Sequence, residues 1–264
     1  MNGNLMNIKS FLEKKKSGEP LTMLTAYDYI QTLWCCAAGI DSILVGDSLG
    51  NVVQGKGTTL NVSLDEMIYH TEIVARIARQ KCDEKSRPVI VADMPFPFGH
   101  TGIEVAVAQA ARVVKDTGCD AVKVETSWED APLVSALVKA GIPVMAHIGL
   151  RPQQILNLGK FSIQKAEKAL LKDAEAVTDA GAFSVVLECV EADLAEKITR
   201  QVAIPTIGIG SGAGCDGQIL VITDVLGMNP EFVPKHAREY AHLAQTAIDA
   251  IKEYVSDVKE RKFP

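Results

Sequence analysis

Acidic residues follow several short apolar runs of the chain, each where a buried strand is predicted to end. Asp47, Asp93, Glu125 and Glu188 come directly after such runs in four separate places. A single Asp in this position often only caps the next helix, and Asp28 is predicted to do so. Four carboxylates brought together would repel one another unless a cation compensates their charge. The pattern therefore indicates a site for a divalent cation that prefers hard oxygen ligands, such as Mg²⁺.

Two nitrogen-bearing side chains stand in comparable positions. Lys123 precedes Glu125 by two residues, so both side chains should leave a strand on the same face. Lys123 could then neutralise an anionic substrate; the simpler alternative is an ion pair with Glu125. His147 ends another apolar run and could be structural or could bind a ligand. Because Mg²⁺ usually takes one or two carboxylates from a protein, at least one acid remains free to move a proton.

The strands that must position these residues recur from Leu21 onward. Continuous apolar runs separated by amphipathic stretches are typical of parallel strands that alternate with helices. The runs are Leu21–Ala26, Ser42–Val45, Pro88–Ala92, Ala121–Val124, Pro143–Ala146, Ser184–Leu187 and Pro205–Ile209. An eighth strand is predicted within Gln218–Leu226, a segment that also fits a helix. Such units build a closed barrel or an open doubly wound sheet, and the chain length favours the barrel.

We therefore predict a single-domain (β/α)8 TIM barrel over residues 1–264. A helix at Ile8–Lys15 is expected to close its bottom, and a long amphipathic helix at Lys235–Val258 to end the chain. The C-terminal ends of all strands in such a barrel open onto one face, where active sites form. The acidic residues are predicted to meet there. Long loops at Leu49–Val62 and Gly149–Gln164 are predicted lids.

A glycine-rich segment at Gly208–Ala213 superficially fits a dinucleotide-binding fingerprint. It comes too late in the chain and lacks the start of the corresponding fold unit. We interpret it as a tight turn that lets the backbone approach a ligand.

Composition narrows the class of protein. The chain has 264 residues, 47% of them hydrophobic, and a formal net charge of -6. Without a basic stripe, nucleic acid is not an expected partner, and no apolar run reaches the roughly 20 residues that span a membrane. The six cysteines form no CxxC pair, so we expect reduced cysteines that serve as small buried hydrophobes. A cytoplasmic location is the resulting expectation.

Short motifs occur in a fixed order over about Leu21 to Lys235. They are Leu24–Asp28, Leu44–Gly50, Leu64–Thr71, Ala92–Phe96, Val122–Glu125, His147–Gln153, Leu187–Cys189, Ile204–Gly212 and Cys215–Gln218. In this order they resemble the ketopantoate hydroxymethyltransferase family, within the barrel group of phosphoenolpyruvate mutase and isocitrate lyase. Any one motif would be weak evidence, whereas the ordered set is specific.

The resemblance implies a reaction and roles for the residues. A hydroxymethyl group would pass from 5,10-methylenetetrahydrofolate to 3-methyl-2-oxobutanoate, with water and Mg²⁺, to form 2-dehydropantoate on the pathway to pantothenate and coenzyme A. Asp47 and Asp93 would hold the metal, with Glu125 in or beside its shell, and Glu188 would take the C3 proton. The residues implied for substrate binding are Asp47, Ser48, Asp93, Lys123 and His147. A homo-oligomer, often a decamer, is also implied.

Some positions depart from the family's pattern. Thr126-Ser127 stand where the family usually has Gly-Gly, and Asn61 stands where the lid usually has Pro. Lys160 and Lys165 fall in a segment that is usually richer in glycine. These departures leave the expected metal and base positions intact and fall near the expected lid and folate positions.

Two alternatives stay open from the sequence. One is another Mg²⁺-dependent enzyme of the phosphoenolpyruvate mutase and isocitrate lyase group, which would act on a 2-oxo acid without folate. The other is a barrel that keeps the site but serves as a binding or scaffold protein.

Overall fold

The computed structural model describes residues 6–83, 86–159 and 162–264, and all structural statements below concern these residues. Eight parallel strands close into a barrel in sequence order. They are β1 (Leu21–Thr25), β2 (Ser42–Val45), β3 (Val89–Asp93), β4 (Ala121–Glu125), β5 (Val144–Gly149), β6 (Ser184–Glu188), β7 (Thr206–Ile209) and β8 (Gly217–Leu220). The predicted (β/α)8 barrel is confirmed, and the open sheet is wrong.

Helices connect the strands, as the amphipathic stretches predicted. They are α1 (Ile8–Ser17), α2 (Tyr29–Ala38), α3 (Leu49–Val52), α4 (Leu64–Lys81), α5 (Ile103–Thr117), α6 (Ala131–Lys139), α7 (Ile155–Leu158), α8 (Glu167–Asp179), α9 (Ala192–Gln201), α10 (Ile222–Val225) and α11 (Leu243–Lys259). Short 3-10 helices lie at Thr59–Asn61, Trp128–Asp130 and Pro152–Gln154. Asp28 caps α2, because its Oδ1 accepts a 2.8 Å hydrogen bond from Gln31 N, as predicted.

Of the two predictions for the end of the chain, the eighth strand is confirmed and the bounds of the last helix were wrong. The segment Gln218–Leu226 holds three of the four residues of β8 and then all of α10, so the helical reading of the whole segment is wrong. The last helix begins at Leu243 rather than Lys235. Before it, the amide of Tyr240 donates to the Val225 carbonyl over 2.8 Å, and the amide of Leu243 donates to the Leu226 carbonyl over 3.0 Å. In a helix each of these amides would donate to the carbonyl four residues before it. Here they donate to carbonyls at the end of α10 instead, so the last helix begins after them.

The bottom of the barrel is closed by α1, as predicted. Phe11 is completely buried and joins the inward side chains of the strands in one apolar cluster. Its ring meets that of Phe183 edge to face, with centroids 5.2 Å apart. The apolar side chains thus fill the lower end of the barrel, and polar side chains are left for the upper end.

Contacts between residues divide the chain into two compact units, Met1–Ile219 and Leu220–Pro264. The first unit contains β1 to β7 with α1 to α9, and the second contains α10 and α11. The single domain over residues 1–264 stays a prediction. Among the described helices, none has the length and apolar character that crossing a membrane requires.

The expectation that all the cysteines are reduced was wrong. Cys36 on α2 and Cys82 at the end of α4 form a disulfide. Cys35 and Cys119 are buried thiols, as expected. Spacing in the sequence could not reveal the pair, because it depends on which helices lie side by side in the barrel. The cytoplasmic location stays a prediction.

Candidate active site

Side chains of four strands meet inside the upper end of the barrel. Successive residues of a strand point to opposite faces, so residues two positions apart both point inward. In β3, β4, β5 and β6 an inward apolar residue is followed two positions later by a polar one. The apolar residues are Val91, Ala121, Met145 and Val186. The polar residues are Asp93, Lys123, His147 and Glu188.

Asp93 and Lys123 form the buried centre of this cluster. Lys123 Nζ lies 2.8 Å from Asp93 Oδ1, and the two side chains are 5% and 1% exposed. Burial lowers the pKa of Lys123, but the charges of Asp93, Asp47 and Glu125 outweigh it and raise the pKa above its usual value. Lys123 is therefore a permanent cation whose ion pair is with Asp93, and not with Glu125 as the simpler alternative held.

Asp47 joins the cluster from the turn that follows β2. Its backbone amide donates to Asp93 Oδ2 over 3.1 Å, and its own carboxyl group is close enough to interact electrostatically with Asp93. Burial, and then the charge of Asp93, raise the pKa of Asp47 to about 7. Burial also raises the pKa of Glu125 well above its usual value, with Lys123 acting in the opposite direction. This end of the barrel therefore holds more negative charge than Lys123 alone neutralises.

His147 lies between Lys123 and Glu188. Its Nδ1 is 3.3 Å from Lys123 Nζ, and its Nε2 is 3.3 Å from Glu188 Oε2. Because an ammonium group can only donate, Nδ1 accepts and the ring proton belongs on Nε2. Burial and the charge of Lys123 lower the pKa of His147, so the ring is neutral. Glu188 Oε2 faces this Nε2–H, but no well-aligned hydrogen bond to it exists among the described residues, so the N–H is available to an oxygen of a ligand that lies between them.

Ser48 is held at the same end of the barrel by a residue that the sequence analysis did not single out. Its Oγ lies 2.8 Å from the hydroxyl of Tyr27, a completely buried side chain after β1. Tyr27 belongs to the motif Leu24–Asp28, and its place after a strand was the available signal. Gln153, considered below, was also missed; it lies in the predicted lid after β5.

The backbone around Glu188 is tightly constrained. Gly149 has φ +97°, and a Cβ there would lie 2.4 Å from the carbonyl oxygen of Glu188. Cys189 has φ 50°, which is unusual for a residue other than glycine. Ser211 Oγ donates to the Leu187 carbonyl over 2.7 Å and accepts from Val190 N over 2.9 Å, on either side of this strained residue. The glycine-rich segment predicted to be a tight turn thus supports Glu188 through Ser211.

A cleft opens beside Glu125 at this end of the barrel. Its walls include two aromatic rings and one guanidinium group. The side chains concerned are Phe96, Phe98 and Arg151. The small cleft therefore has aromatic side chains and a positive charge in its walls, next to the acidic cluster.

The positions that depart from the family's pattern have local structural roles. The amide and hydroxyl of Thr126 both donate to the His147 carbonyl, over 2.8 and 3.1 Å. Ser127 and Asp130 form a capping box at the start of a short helix. Asn61 ends another short helix, and its carbonyl accepts from Lys56 Nζ. Lys165 pairs with Glu191 over 2.9 Å, and Lys160 lies outside the described residues.

The donor set at this end of the barrel fits a divalent cation held by few protein ligands. Among the described residues, no group of three or more His, Cys, Asp and Glu side chains is arranged as a ready metal site. Asp47 and Asp93 are nevertheless two buried, interacting carboxyl groups, and Asp93 Oδ1 has the ammonium of Lys123 2.8 Å away but no well-aligned hydrogen bond among the described residues. Their chemistry suits Mg²⁺, which completes its shell with water and substrate oxygens.

Comparison with known proteins gives a consistent result. Residues 5–264 match the family described as ketopantoate hydroxymethyltransferase. A 3-methyl-2-oxobutanoate hydroxymethyltransferase of Carboxydothermus hydrogenoformans is 47% identical over 98% of this chain and 93% of its own length. One of Clostridium botulinum is 46% identical over 97% of this chain and 92% of its own length. Sequence similarity thus extends over nearly the whole chain.

Solved structures agree on the fold. A 2,3-dimethylmalate lyase, described as a member of the PEP mutase/isocitrate lyase superfamily, superposes with a TM-score of 0.58 at 15% identity. The match covers 97% of this chain and 88% of the lyase. The predicted barrel group is therefore confirmed at the level of the fold.

Proposed function

The chain belongs to the ketopantoate hydroxymethyltransferase family, and we propose that it transfers a hydroxymethyl group from 5,10-methylenetetrahydrofolate to 3-methyl-2-oxobutanoate. The product would be 2-dehydropantoate, on the pathway to pantothenate. The observation that carries the proposal is the convergence of two buried carboxylates, a buried lysine and Glu188 at one end of the barrel. The aldol-type reaction needs a site for the substrate carboxylate, a site for a cation and a base. The lysine, the two carboxylates and Glu188 would supply these in turn.

Asp47 and Asp93 are the residues we propose to hold Mg²⁺, with Glu125 in its shell directly or through water. When bound, the cation supplies positive charge at the keto oxygen and so makes the C3–H bond of the substrate more acidic. Lys123 and Ser48 would bind the substrate carboxylate, because a buried ammonium and a hydroxyl both donate hydrogen bonds. Support comes from the burial of Asp47, Asp93 and Glu125 near a single lysine; burial first, and the neighbouring carboxylates second, raise the pKa of Asp47 and of Glu125.

Glu188 is the proposed base that takes the C3 proton. Its side chain is 19% exposed, and its Oε2 faces Nε2 of the neutral His147. The His147 N–H can donate to the substrate oxygen or to Glu188 as the proton moves. The electron pair left on C3 then forms the new bond to the methylene carbon, whose two bonds to the folate nitrogens break. Water supplies the hydroxyl oxygen, and the two freed nitrogens take up one proton from that water and the one removed from C3. A positioned base is typically worth 10² to 10⁴-fold in rate.

The folate half of the proposal rests on the family resemblance, and we propose that the co-substrate approaches beside Glu125, where Phe96 and Phe98 line a small cleft. Phe96 is 38% exposed there, so its ring can contact a flat heterocycle. Arg151 lines the same cleft and can meet an anionic part of the co-substrate.

We also propose that the chain forms a homo-oligomer, with the decamer of the family resemblance as the expected form. Helix α11 has no buried residue among those described, although it is amphipathic. Its exposed apolar side chains are Ile248, Ile251, Tyr254, Val255 and Val258. A stripe of this kind on one helix face is typical of a surface that another chain covers. Light scattering coupled to gel filtration gives the mass directly, and a monomer at micromolar concentration would contradict the proposal.

The test of the reaction is proton exchange at C3 of 3-methyl-2-oxobutanoate, followed by NMR in D₂O. We expect exchange to require Mg²⁺ and to fall by at least 10²-fold in Glu188→Gln. Glu196→Gln on α9 is the control, since Glu196 pairs with a surface arginine, Arg200. The exchange rate in this variant should match that in the unmodified protein.

Product formation is then measured with and without 5,10-methylenetetrahydrofolate. Formation of 2-dehydropantoate only with the folate supports the proposed transfer. Conversion of the 2-oxo acid without folate would instead favour the lyase and mutase chemistry of the wider group. Exchange that persists in Glu188→Gln would remove Glu188 from the role of base.

A further inference from the structure

Gln153 is a buried amide that approaches the acidic cluster from the loop after β5. It lies in the 3-10 helix Pro152–Gln154 and is 9% exposed. None of the roles proposed above uses this side chain. A buried amide in a loop next to several carboxylates calls for an explanation, because burial of a polar group is favourable only when it is hydrogen-bonded.

The side chain of Gln153 spans two elements. Its Nε2 donates to Asp47 Oδ2 over 2.9 Å and to the Met94 carbonyl over 3.0 Å. The Met94 carbonyl can only accept, so the nitrogen of the amide and not its oxygen must face it. The two N–H bonds of Nε2 are thus both used, and the orientation of the amide is determined.

The backbone of Gln153 reaches a second carboxylate. Its N–H lies 3.3 Å from Oε1 and 3.2 Å from Oε2 of Glu125. One residue therefore contacts Asp47 through its side chain and Glu125 through its main chain. These two residues come from the ends of β2 and β4, on opposite sides of β3.

A neutral donor suits this position for an electrostatic reason. The amide stabilises one oxygen of Asp47 and leaves the other oxygen and the full carboxylate charge for a cation. A lysine or arginine there would add positive charge and compete with the cation. A glutamate would place a third acceptor against Asp47 Oδ2 and the Met94 carbonyl.

We propose that Gln153 is a positioning residue that orients Asp47 and Glu125 for a divalent cation and couples the loop Leu150–Leu158 to cation binding. The inference rests on the metal site of the proposed function. Coupling of this kind is reciprocal: if the docked loop raises the affinity for the cation, the bound cation stabilises the docked loop to the same extent.

Cation affinity is the first measurement, made by calorimetry with Mn²⁺ and with Mg²⁺ in the absence of substrates. Gln153→Met keeps the volume of the side chain but removes both donors, and Gln153→Glu keeps its shape but replaces the donor. Loss of groups that orient metal ligands typically costs roughly 10 to 100-fold in affinity. We expect a loss in that range in both variants. Gln201→Met is the matched control, because Gln201 Nε2 also donates to a carboxylate, that of Glu175, but on the exposed surface.

Hydrogen exchange of the loop is the second measurement. In the unmodified protein, amides of Leu150–Leu158 should exchange more slowly when Mg²⁺ is added, and this protection should be absent from Gln153→Met. A residue that served only stability would lower the melting temperature without changing cation affinity or the Mg²⁺ response of the loop. If one variant does not fold, the other carries both measurements.

The outcomes separate the inference from the proposed function. If the unmodified protein binds the cation and both variants bind it within twofold, the positioning role is wrong and the metal site stands. If the unmodified protein binds no divalent cation, the metal site of the proposed function fails, and the role of Gln153 fails with it.

Discussion

Nε2 of His147 lies 3.3 Å from Oε2 of Glu188, while Nδ1 of the same ring faces the ammonium group of Lys123. The lysine can only donate, so the imidazole is held as a neutral donor toward the proposed base. Lys123, His147 and Glu188 lie on three neighbouring strands, so a permanent cation, a neutral ring and a carboxylate contact one another in succession.

Replacing His147 by Gln should lower kcat more than it raises KM. The variant loses the hydrogen bond that the His147 N–H is proposed to donate to the substrate oxygen or to Glu188. A hydrogen bond to a charged group is worth about 1.5–3 kcal/mol, which corresponds to about 10 to 150-fold in rate. Because the pKa of His147 is lowered by burial and by Lys123, the ring stays neutral above pH 6.5. The pH profile of kcat should therefore show no loss near pH 6.5 attributable to this residue. Steady-state kinetics from pH 5.5 to 9 provides the check, and a profile that changes shape in His147→Gln would contradict the neutral ring.

Replacing Lys123 by Met should destabilise the fold strongly. The variant leaves Asp93 buried without its ion-pair partner, a change that typically costs about 3–5 kcal/mol. Lys165→Met is the control, because the Lys165–Glu191 pair is exposed and should contribute less than about 1 kcal/mol. Urea unfolding at pH 7.5 measures both. Equal losses in the two variants would show that the buried pair has no special role.

The stability of the chelator-treated protein should fall as the pH rises from 5 to 8. Burial and Asp93 raise the pKa of Asp47 from 3.8 to about 7, so the folded state favours the protonated form. The stabilisation is complete below the unfolded pKa and is lost as the pH passes through about 7. Asp47→Asn should show a shallower decline, measured by calorimetry. Added Mg²⁺ should raise the melting temperature more at pH 8 than at pH 5; a decline of equal slope in Asp47→Asn would contradict this account.

Breaking the Cys36–Cys82 bond should lower stability without removing the site residues. The bond joins cysteines 46 residues apart, and closing a loop of this size typically contributes about 2–4 kcal/mol. A reducing agent should lower the melting temperature of the unmodified protein and leave that of Cys36→Ser unchanged. Peptide mapping under non-reducing conditions tests the pairing itself. Recovery of free Cys36 and Cys82 from unreduced protein would refute it.

Replacing Phe11 by Ala should affect stability and spare catalysis. Phe11 is completely buried at the bottom of the barrel, and loss of a buried Phe typically costs about 3–5 kcal/mol. The active-site residues lie at the opposite end of the strands, so KM should stay the same in the folded variant. Leu12→Ala on the same helix is the control, because Leu12 is 39% exposed and should cost much less. Denaturant unfolding and steady-state kinetics on both variants provide the test. A changed KM in folded Phe11→Ala, or an equal loss of stability in Leu12→Ala, would contradict the prediction.

The amino-acid sequence by itself determined the barrel and the set of polar residues at one end of it. Continuous apolar runs are a local signal for buried parallel strands, and the rule that such strands end on one face needs no coordinates. The same rule placed Asp93, Lys123, Glu125, His147 and Glu188 together before any distance was known. The ordered motifs then indicated the family, which the comparisons confirmed.

Only the tertiary structure decided which side chains meet. It paired Lys123 with Asp93, joined Cys36 to Cys82, and brought Gln153 onto Asp47. Each of these contacts depends on the register between neighbouring strands or on which helices and loops lie side by side. Neither is encoded in local spacing, because residues far apart in the chain become neighbours only after the barrel closes.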